Sequence, residues 1–342
     1  MAENDAPKVA QSLVIIEENV DSLARIADDV REFAARARAP ATLRAYGIAW
    51  RRFEKWAVSL GQTAQNARPA AVAGHIKWLF DRGMPRNTIE VAAAGIVHYL
   101  RPSDPTLWPS RPMPEPLRST LEAVRRHGIQ GRPKRAFTVD QVRKAVAALT
   151  GDGLRVVRDR AVLLLSVWLA TRRSELTALG VADVTIDDEK LVAFVHKSKT
   201  DQKHEGKHPA APRAEDPSIC AVRAVERWIE LSGVKDGYLF RALRPRGFGA
   251  ARVEHVSERR MGDKVVADVV KRAAKAIGLS PRSFAAHSTR AGFCTTAAKH
   301  GATAIEIAQQ TGHLDLKQVM KYVRQERPLE GNAVMKLEGK RT

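Results

Sequence analysis

Cysteine is nearly absent: Cys220 and Cys294 are the whole supply in 342 residues. Two are too few for a disulfide framework or a cysteine-built zinc site, and both lie in helix-like apolar runs, so they read as reduced core residues. Long apolar runs are missing too. The longest, Ala161 to Ala170, is far short of a bilayer span. The earliest, Leu13 to Ile16, is too short for a secretion signal and sits in an acidic N-terminus. These absences predict a cytoplasmic protein with no membrane partner. There is no internal repeat and no glycine-rich phosphate loop. His204 and His208 are four apart but flank Gly206 in an expected hairpin with no third ligand nearby, so neither a metal nor a cofactor is expected. Negative charge is the other shortage. The chain has 38 Asp and Glu against 57 Lys and Arg, a formal net charge of +19. The first 38 residues are acidic on balance, so the basic excess belongs to the remainder. That balance implies a polyanionic partner, and by itself it fits a non-specific nucleic-acid binder as well as a sequence-reading enzyme.

What is present is mostly helical periodicity. Leu13, Ile16, Val20, Leu23, Ile26 and Val30 recur at three- and four-residue steps, predicting a first helix that ends before Pro40. Thr42 reads as the cap of a second helix turning Tyr46, Trp50, Phe53 and Trp56 inward. Further helices fit 70–81, 87–100 and 116–127. Gly128 to Arg135 then breaks the pattern with two glycines, a proline and three cations, Arg132, Lys134 and Arg135. This is the best domain boundary in the chain. The expected layout is 1–38 tail and first helix, 39–127 helical domain, 128–137 basic linker and 138–342 second domain. In the second domain, helices fit from Val139 and over 158–170, the latter apolar all round and so buried. Leu191 to Val195 reads as a strand in a small antiparallel sheet with a hairpin, within 184–212. Helices resume at 218–231, 257–277, 291–300, 304–310, 316–322 and 332–337, with Arg259 and Arg260 opening one of them.

The chemistry concentrates in four places. His287 and Arg290 are three apart in a helix-compatible run, which puts an imidazole beside a guanidinium on one face. A guanidinium fork is shaped to grip two phosphate oxygens, and an imidazole can donate to a third or move a proton. Arg172, in the run Arg172-Arg173-Ser174-Glu175-Leu176, supplies a second fork after an apolar helix. Glu175 is read as orienting a neighbouring arginine or histidine. Gly312-His313 adds another imidazole, and Tyr322 a phenol able to act as nucleophile. Taken alone, Tyr322 would read as a half-buried anchor and His313 as a packing group.

Together, in this order, the Arg172 run, His287-Ser288-Thr289-Arg290, Gly312-His313 and Tyr322 resemble the signature of the tyrosine site-specific recombinases, the phage-integrase family. The likeness extends from about Thr42 to the C-terminus, and the stretches Val225 to Ile229 and Ser232 to Val234 narrow it to one branch. The resemblance implies a mainly α, two-domain C-clamp: an all-helical core-binding domain and a mostly helical catalytic domain with a small antiparallel sheet. It implies 3′-phosphotyrosine chemistry with Arg172, Glu175, Lys199, His287, Arg290, His313 and Tyr322 as the catalytic set. Lys199 takes the hairpin-lysine role, with Lys197 as its competitor in register. Arg44, Asn87, Arg132, Lys134, Arg135, Arg259 and Arg282 form the implied DNA-binding set, Arg259 as a guanine-reading residue. Outside the family, Arg44 would be a solvated arginine and Asn87 a helix cap. The implied partner is double-stranded DNA with an inverted-repeat site, met as a dimer on one site and a tetramer in synapsis, with a short helix at 332–338 donated to the neighbouring protomer. Two rivals use similar residues: a type IB topoisomerase-like enzyme, and a non-catalytic DNA-binding regulator on a recombinase scaffold. The helical N-terminal part argues against the first and the complete residue set against the second.

Overall fold

The computed structural model describes residues 38–196, 206–246 and 253–329, together with Val334. The expected first helix, Lys197, Lys199 and His204, and all of 332–338 but Val334 lie outside the described residues. The chain divides into two compact units, Met1–Arg132 and Pro133–Thr342.

The described part of the first unit is four helices, α1 (Pro40–Ser59), α2 (Pro69–Asp81), α3 (Arg86–Leu100) and α4 (Leu117–His127). Thr42 does not cap α1. The helix starts two residues earlier, because Pro40 sits in its first turn, where a missing N–H costs nothing, and no side chain caps it. Phe53, Val72, Ile76, Ile89, Ile96 and Trp108 fill the core, each large apolar side chain contributing roughly 1.5–3 kcal/mol.

Inside that core lies His75, fully buried among Phe53, Trp56 and Trp78, with ring centroids 5.3, 5.0 and 5.4 Å away. Neither ring nitrogen has a hydrogen-bond partner among the described residues. Burial first, and then Arg52, lower its pKa to about 4. The unfolded chain therefore takes up a proton below pH 6.5 that the folded chain refuses until about pH 4. Stability contributed by the neutral ring is complete above pH 6.5 and is lost as pH falls through that window. His75→Leu is expected to spare about 2 kcal/mol of the wild-type loss between pH 7 and pH 5. Urea unfolding at the two pH values measures it; parallel losses in both proteins would show that His75 titrates normally.

The second unit is built on α5 (Val139–Ala148), α6 (Leu154–Trp168), α7 (Arg173–Ala178), α8 (Ala221–Ser232), α9 (Asp263–Ala276), α10 (His287–Lys299), α11 (Ala304–Thr311) and α12 (Leu316–Glu326). Helix α6 is buried nearly throughout from Val157 to Val167, as an all-round apolar segment requires. Strands β1 (Val184–Ile186), β2 (Lys190–Ala193) and β3 (Ala210–Pro212) form an antiparallel sheet in the order β1-β2-β3. The register places Leu191 opposite Ala211, and beyond the strands Val195 bridges Lys207.

The expected helix 257–277 is two elements. Its first part is strand β5 (Val253–Arg260), paired with β4 (Arg241–Arg246), and α9 begins only at Asp263. Leu243 and Val256 lie opposite each other in that ladder and pack against the core. Backbone pairing over this length overrides the helical spacing of the few apolar residues. Arg259 is thus an exposed strand residue, not the start of a helix.

A second core, smaller than the first, lies under α12: Cys294, Ala298, Ile307, Val319 and Val323, with Tyr322 packed against it. Gly292 allows α10 to cross the segment ahead of α5, since a Cβ there would stand 1.8 Å from the Phe137 carbonyl oxygen.

Candidate active site

Helix α6 ends abruptly. Ala170 takes a left-handed φ of 47°, and the chain turns so that Arg172 caps α7. Arg172 donates its backbone N–H to Glu175 Oε2 at 3.0 Å and its Nη1 to Glu175 Oε1 at 2.7 Å. The carbonyl of Ala170 accepts from Arg290 Nη1 at 2.7 Å. Arg290 is 1% exposed, and its Nη2 has no hydrogen-bond partner among the described residues. An orphaned guanidinium nitrogen in the interior is costly.

Around Arg290 stand His287, in the first turn of the same helix, Arg172, His313 and Tyr322. Arg290 and Arg172 hold the His287 pKa below its ordinary value, after the larger effect of partial desolvation. The His313 ring falls to about 4, through burial first and then Arg290, Arg172, His287 and Lys207. Burial first, then Cys294, push the Tyr322 phenol up, while Arg290 pulls it down. The structure therefore brings Arg172, Glu175, His287, Arg290, His313 and Tyr322 together in one unit.

The hydrogen bonds around Thr311 bear on the tautomer of His313. The Thr311 hydroxyl oxygen lies 2.7 Å from the Ile307 carbonyl oxygen and 2.6 Å from His313 Nδ1. When the Thr311 hydroxyl donates to the Ile307 carbonyl, Nδ1 is the donor to Thr311 Oγ1. A neutral His313 then presents an unprotonated Nε2. The glycine between the two residues, Gly312, makes the turn possible with a left-handed φ of 68°.

Lys207 was not among the residues singled out in the sequence, yet it enters the cluster. Its Nζ lies 3.0 Å from Glu175 Oε2 and donates to the Thr311 carbonyl at 3.1 Å. Only the strand register, which sets Lys207 opposite Val195, could have pointed to it. With Arg172, Arg290 and Lys207 against Glu175, and both histidines neutral, the described cluster carries two excess positive charges. No group of three His, Cys, Asp or Glu able to hold a metal occurs among the described residues, and no helix of the described part is long and apolar enough to cross a membrane.

The sequence-predicted DNA contacts lie elsewhere. In the first unit, Arg44 is exposed on α1, Asn87 borders a groove with Thr42, Tyr46 and Glu90, and Arg132 is exposed. In the second, Arg135 and Arg282 are exposed, and two hydrogen bonds clamp their segments together, Lys134 Nζ to the Arg282 carbonyl at 2.6 Å and Arg135 N–H to the Ser283 carbonyl at 2.9 Å.

This arrangement of two arginines, two imidazoles and a tyrosine on a mainly helical scaffold with small antiparallel sheets has relatives. Residues 135–327 match the model of the phage integrase family, more than half of the chain, and the chain belongs to that family. It is 28% identical to an integrase/recombinase XerD homolog of Selenomonas ruminantium over 343 residues, covering 97% of this chain and 96% of the relative. It is 25% identical to the recombinase Cre of Escherichia phage P1 over 278 residues, 75% of this chain and 76% of that one. Among solved structures, the fold resembles the XerH site-specific recombinase bound to a palindromic difH substrate, with a TM-score of 0.58 at 13% identity over 86% of this chain and 79% of that one. It also resembles a λ integrase tetramer bound to a Holliday junction, with a TM-score of 0.55 at 15% identity over 85% of this chain and 74% of that one.

Proposed function

We propose that this chain is a site-specific DNA recombinase that cuts and rejoins strands by transesterification through Tyr322. The observation that carries the reading is the buried Nη2 of Arg290, without a partner among the described residues, in a cluster that carries two excess positive charges among those residues. A phosphodiester brings one negative charge and its pentavalent transition state approaches two, so the site is complementary to the state to be stabilised. Tyr322 Oη attacks the scissile phosphorus, the bond to the 5′-oxygen breaks, and a 3′-phosphotyrosine ester forms. The phenolic proton passes to the His287 imidazole. The leaving 5′-oxygen takes its proton from Lys199. The ester retains the bond energy, so the 5′-hydroxyl of another strand reverses the step without ATP. Entry of the phosphate anion raises the His313 pKa from its lowered value, and as imidazolium the ring donates from Nε2 to a phosphate oxygen.

Arg44, Asn87, Arg132, Lys134, Arg135 and Arg282 serve this reading as contacts to DNA, and Arg259 as a base-reading residue presented from strand β5. The test is trapping on a duplex nicked beside the cleavage point. Wild-type protein in excess EDTA is expected to leave an SDS-resistant adduct on the 3′-phosphate, because fixed cations supply the charge stabilisation. Cleavage that strictly requires Mg²⁺ would point to different chemistry.

Assembly is part of the same proposal, supported by the λ integrase tetramer on a Holliday junction among the structural neighbours. In this reading residues 332–338, which apart from Val334 lie outside the described residues, are the segment that docks on a neighbouring protomer. Truncation after Arg327 should leave half-site binding intact and abolish cooperative filling of the second half-site. Undiminished cooperativity in a gel-shift titration would assign the segment to its own protomer.

A further inference from the structure

Lys207 joins three parts of the phosphate site. Its backbone exchanges hydrogen bonds with Val195 at 2.9 and 3.2 Å, fixing it on the leg that leads into β3. The side chain is 14% exposed. One ammonium hydrogen faces Glu175 Oε2 at 3.0 Å, whose carboxylate in turn holds Arg172. A second goes to the Thr311 carbonyl, in the residue whose hydroxyl sets the His313 ring. The stem packs so closely on the turn that a Cβ at Gly312 would stand 3.1 Å from Lys207 Cδ. An acid that protonates a leaving oxygen must bring its donor to that atom, and this ammonium is committed on two sides. We infer that Lys207 is a positioning residue of the phosphate site, holding Glu175 against Arg172 and pinning the turn that carries His313. The inference rests on the recombinase reading above.

It has a consequence for pH. Burial is the largest influence on Glu175 and pushes its carboxyl up; Lys207 is the strongest influence pulling it back, ahead of Arg172. The other groups facing this cluster, Arg290, His287 and His313, remain when Lys207 is removed. Without the ammonium, Glu175 protonates at higher pH, and a neutral carboxyl no longer holds the Arg172 guanidinium. Activity would then fall off from a higher pH on the acid side.

The experiment is single-turnover cleavage by Lys207→Met, which keeps the stem and removes the charge. It uses nicked duplexes whose scissile bond carries either the ordinary 5′-oxygen or a bridging 5′-sulfur. A thiolate, with a pKa near that of a free thiol at about 8.5, leaves without an acid's help. Cleavage is expected to slow by about 10- to 100-fold on both substrates alike, with the acid limb of the rate moved to higher pH. Adding Glu175→Gln to Lys207→Met should remove that limb. Near-wild-type cleavage of the sulfur substrate by Lys207→Met would make Lys207 the proton donor and overturn the proposal, as would an unchanged rate on both substrates. If Lys207→Met does not fold, Lys207→Arg decides: equal slowing on both substrates with an unmoved acid limb supports positioning, and rescue by sulfur overturns it. A carbon-13 titration of Glu175 with and without Lys207 reads the same coupling in the absence of DNA; an unmoved Glu175 overturns it. Absence of any adduct in the wild type would instead sink the transesterification reading and leave the Glu175 titration to judge Lys207.

Discussion

Tyr322→Phe is expected to bind target DNA as the wild type does and to leave no SDS-resistant adduct on a nicked substrate. The substitution removes one oxygen from a half-buried ring that packs on the core of Cys294, Ala298, Ile307, Val319 and Val323, so the packing stays and the fold should lose no more than about 1 kcal/mol. What is lost is the oxygen proposed to form the ester. Burial raises the phenol's pKa, with Arg290 the cation opposing that rise; in the proposed mechanism phosphate and nucleophile share that guanidinium. The expected loss of cleavage is at least about 10⁴-fold, the scale on which removal of a nucleophile acts. A wild-type adduct yield in the variant would transfer the nucleophile's role to another residue. Normal affinity in the same titration shows that chemistry alone was removed.

Arg290→Met should separate activity from stability in the opposite sense to an ordinary core substitution. Arg290 is 1% exposed, its Nη2 unpartnered among the described residues, and its charge is held below the usual guanidinium pKa by burial and then by Arg172. A buried charge so incompletely compensated costs stability, and replacing it by an apolar chain of similar length relieves that cost. The Ala170 carbonyl loses its donor at 2.7 Å, which offsets part of the gain. The variant's melting temperature is therefore expected to equal or exceed the wild type's, while single-turnover cleavage falls by about 10³-fold or more, as for loss of a transition-state donor. A melting temperature several degrees lower, with cleavage only modestly slowed, would make Arg290 a structural residue.

How far the sequence could be read depended on how local each signal was. His287 and Arg290 lie within one helical turn, and Arg172 and Glu175 are likewise three apart, so spacing alone brought each pair together. The buried character of α6 followed from its all-round apolar run. Signals that depend on partners far along the chain were hidden. Strand β5 contains His255 and Arg259 among its exposed and half-exposed residues, and only its pairing with β4 distinguishes it from the start of α9. Lys207 reaches Glu175 only because Val195 and Lys207 face each other across a hairpin, a register that no neighbouring residue announces. Thr42 had the chemistry of a cap, but Pro40 had already set the helix start. The tautomer of His313 depends on a hydroxyl two residues away and on a carbonyl four residues before that hydroxyl, which no motif encodes.

The two cores of the second unit give its parts unequal mechanical security. Arg172 and Glu175 follow from the large core around α6, and Arg290 is tied to the end of that helix. Tyr322 rides on the small core under α12, five buried side chains among the described residues. Local opening costs least where the fewest apolar contacts must be broken. If Tyr322 is the nucleophile as proposed, it is therefore the part of the site that local opening withdraws at least cost, with Arg172, Glu175 and Arg290 left in place. In the recombinase reading proposed above, the position of α12 would then govern the timing of the cut.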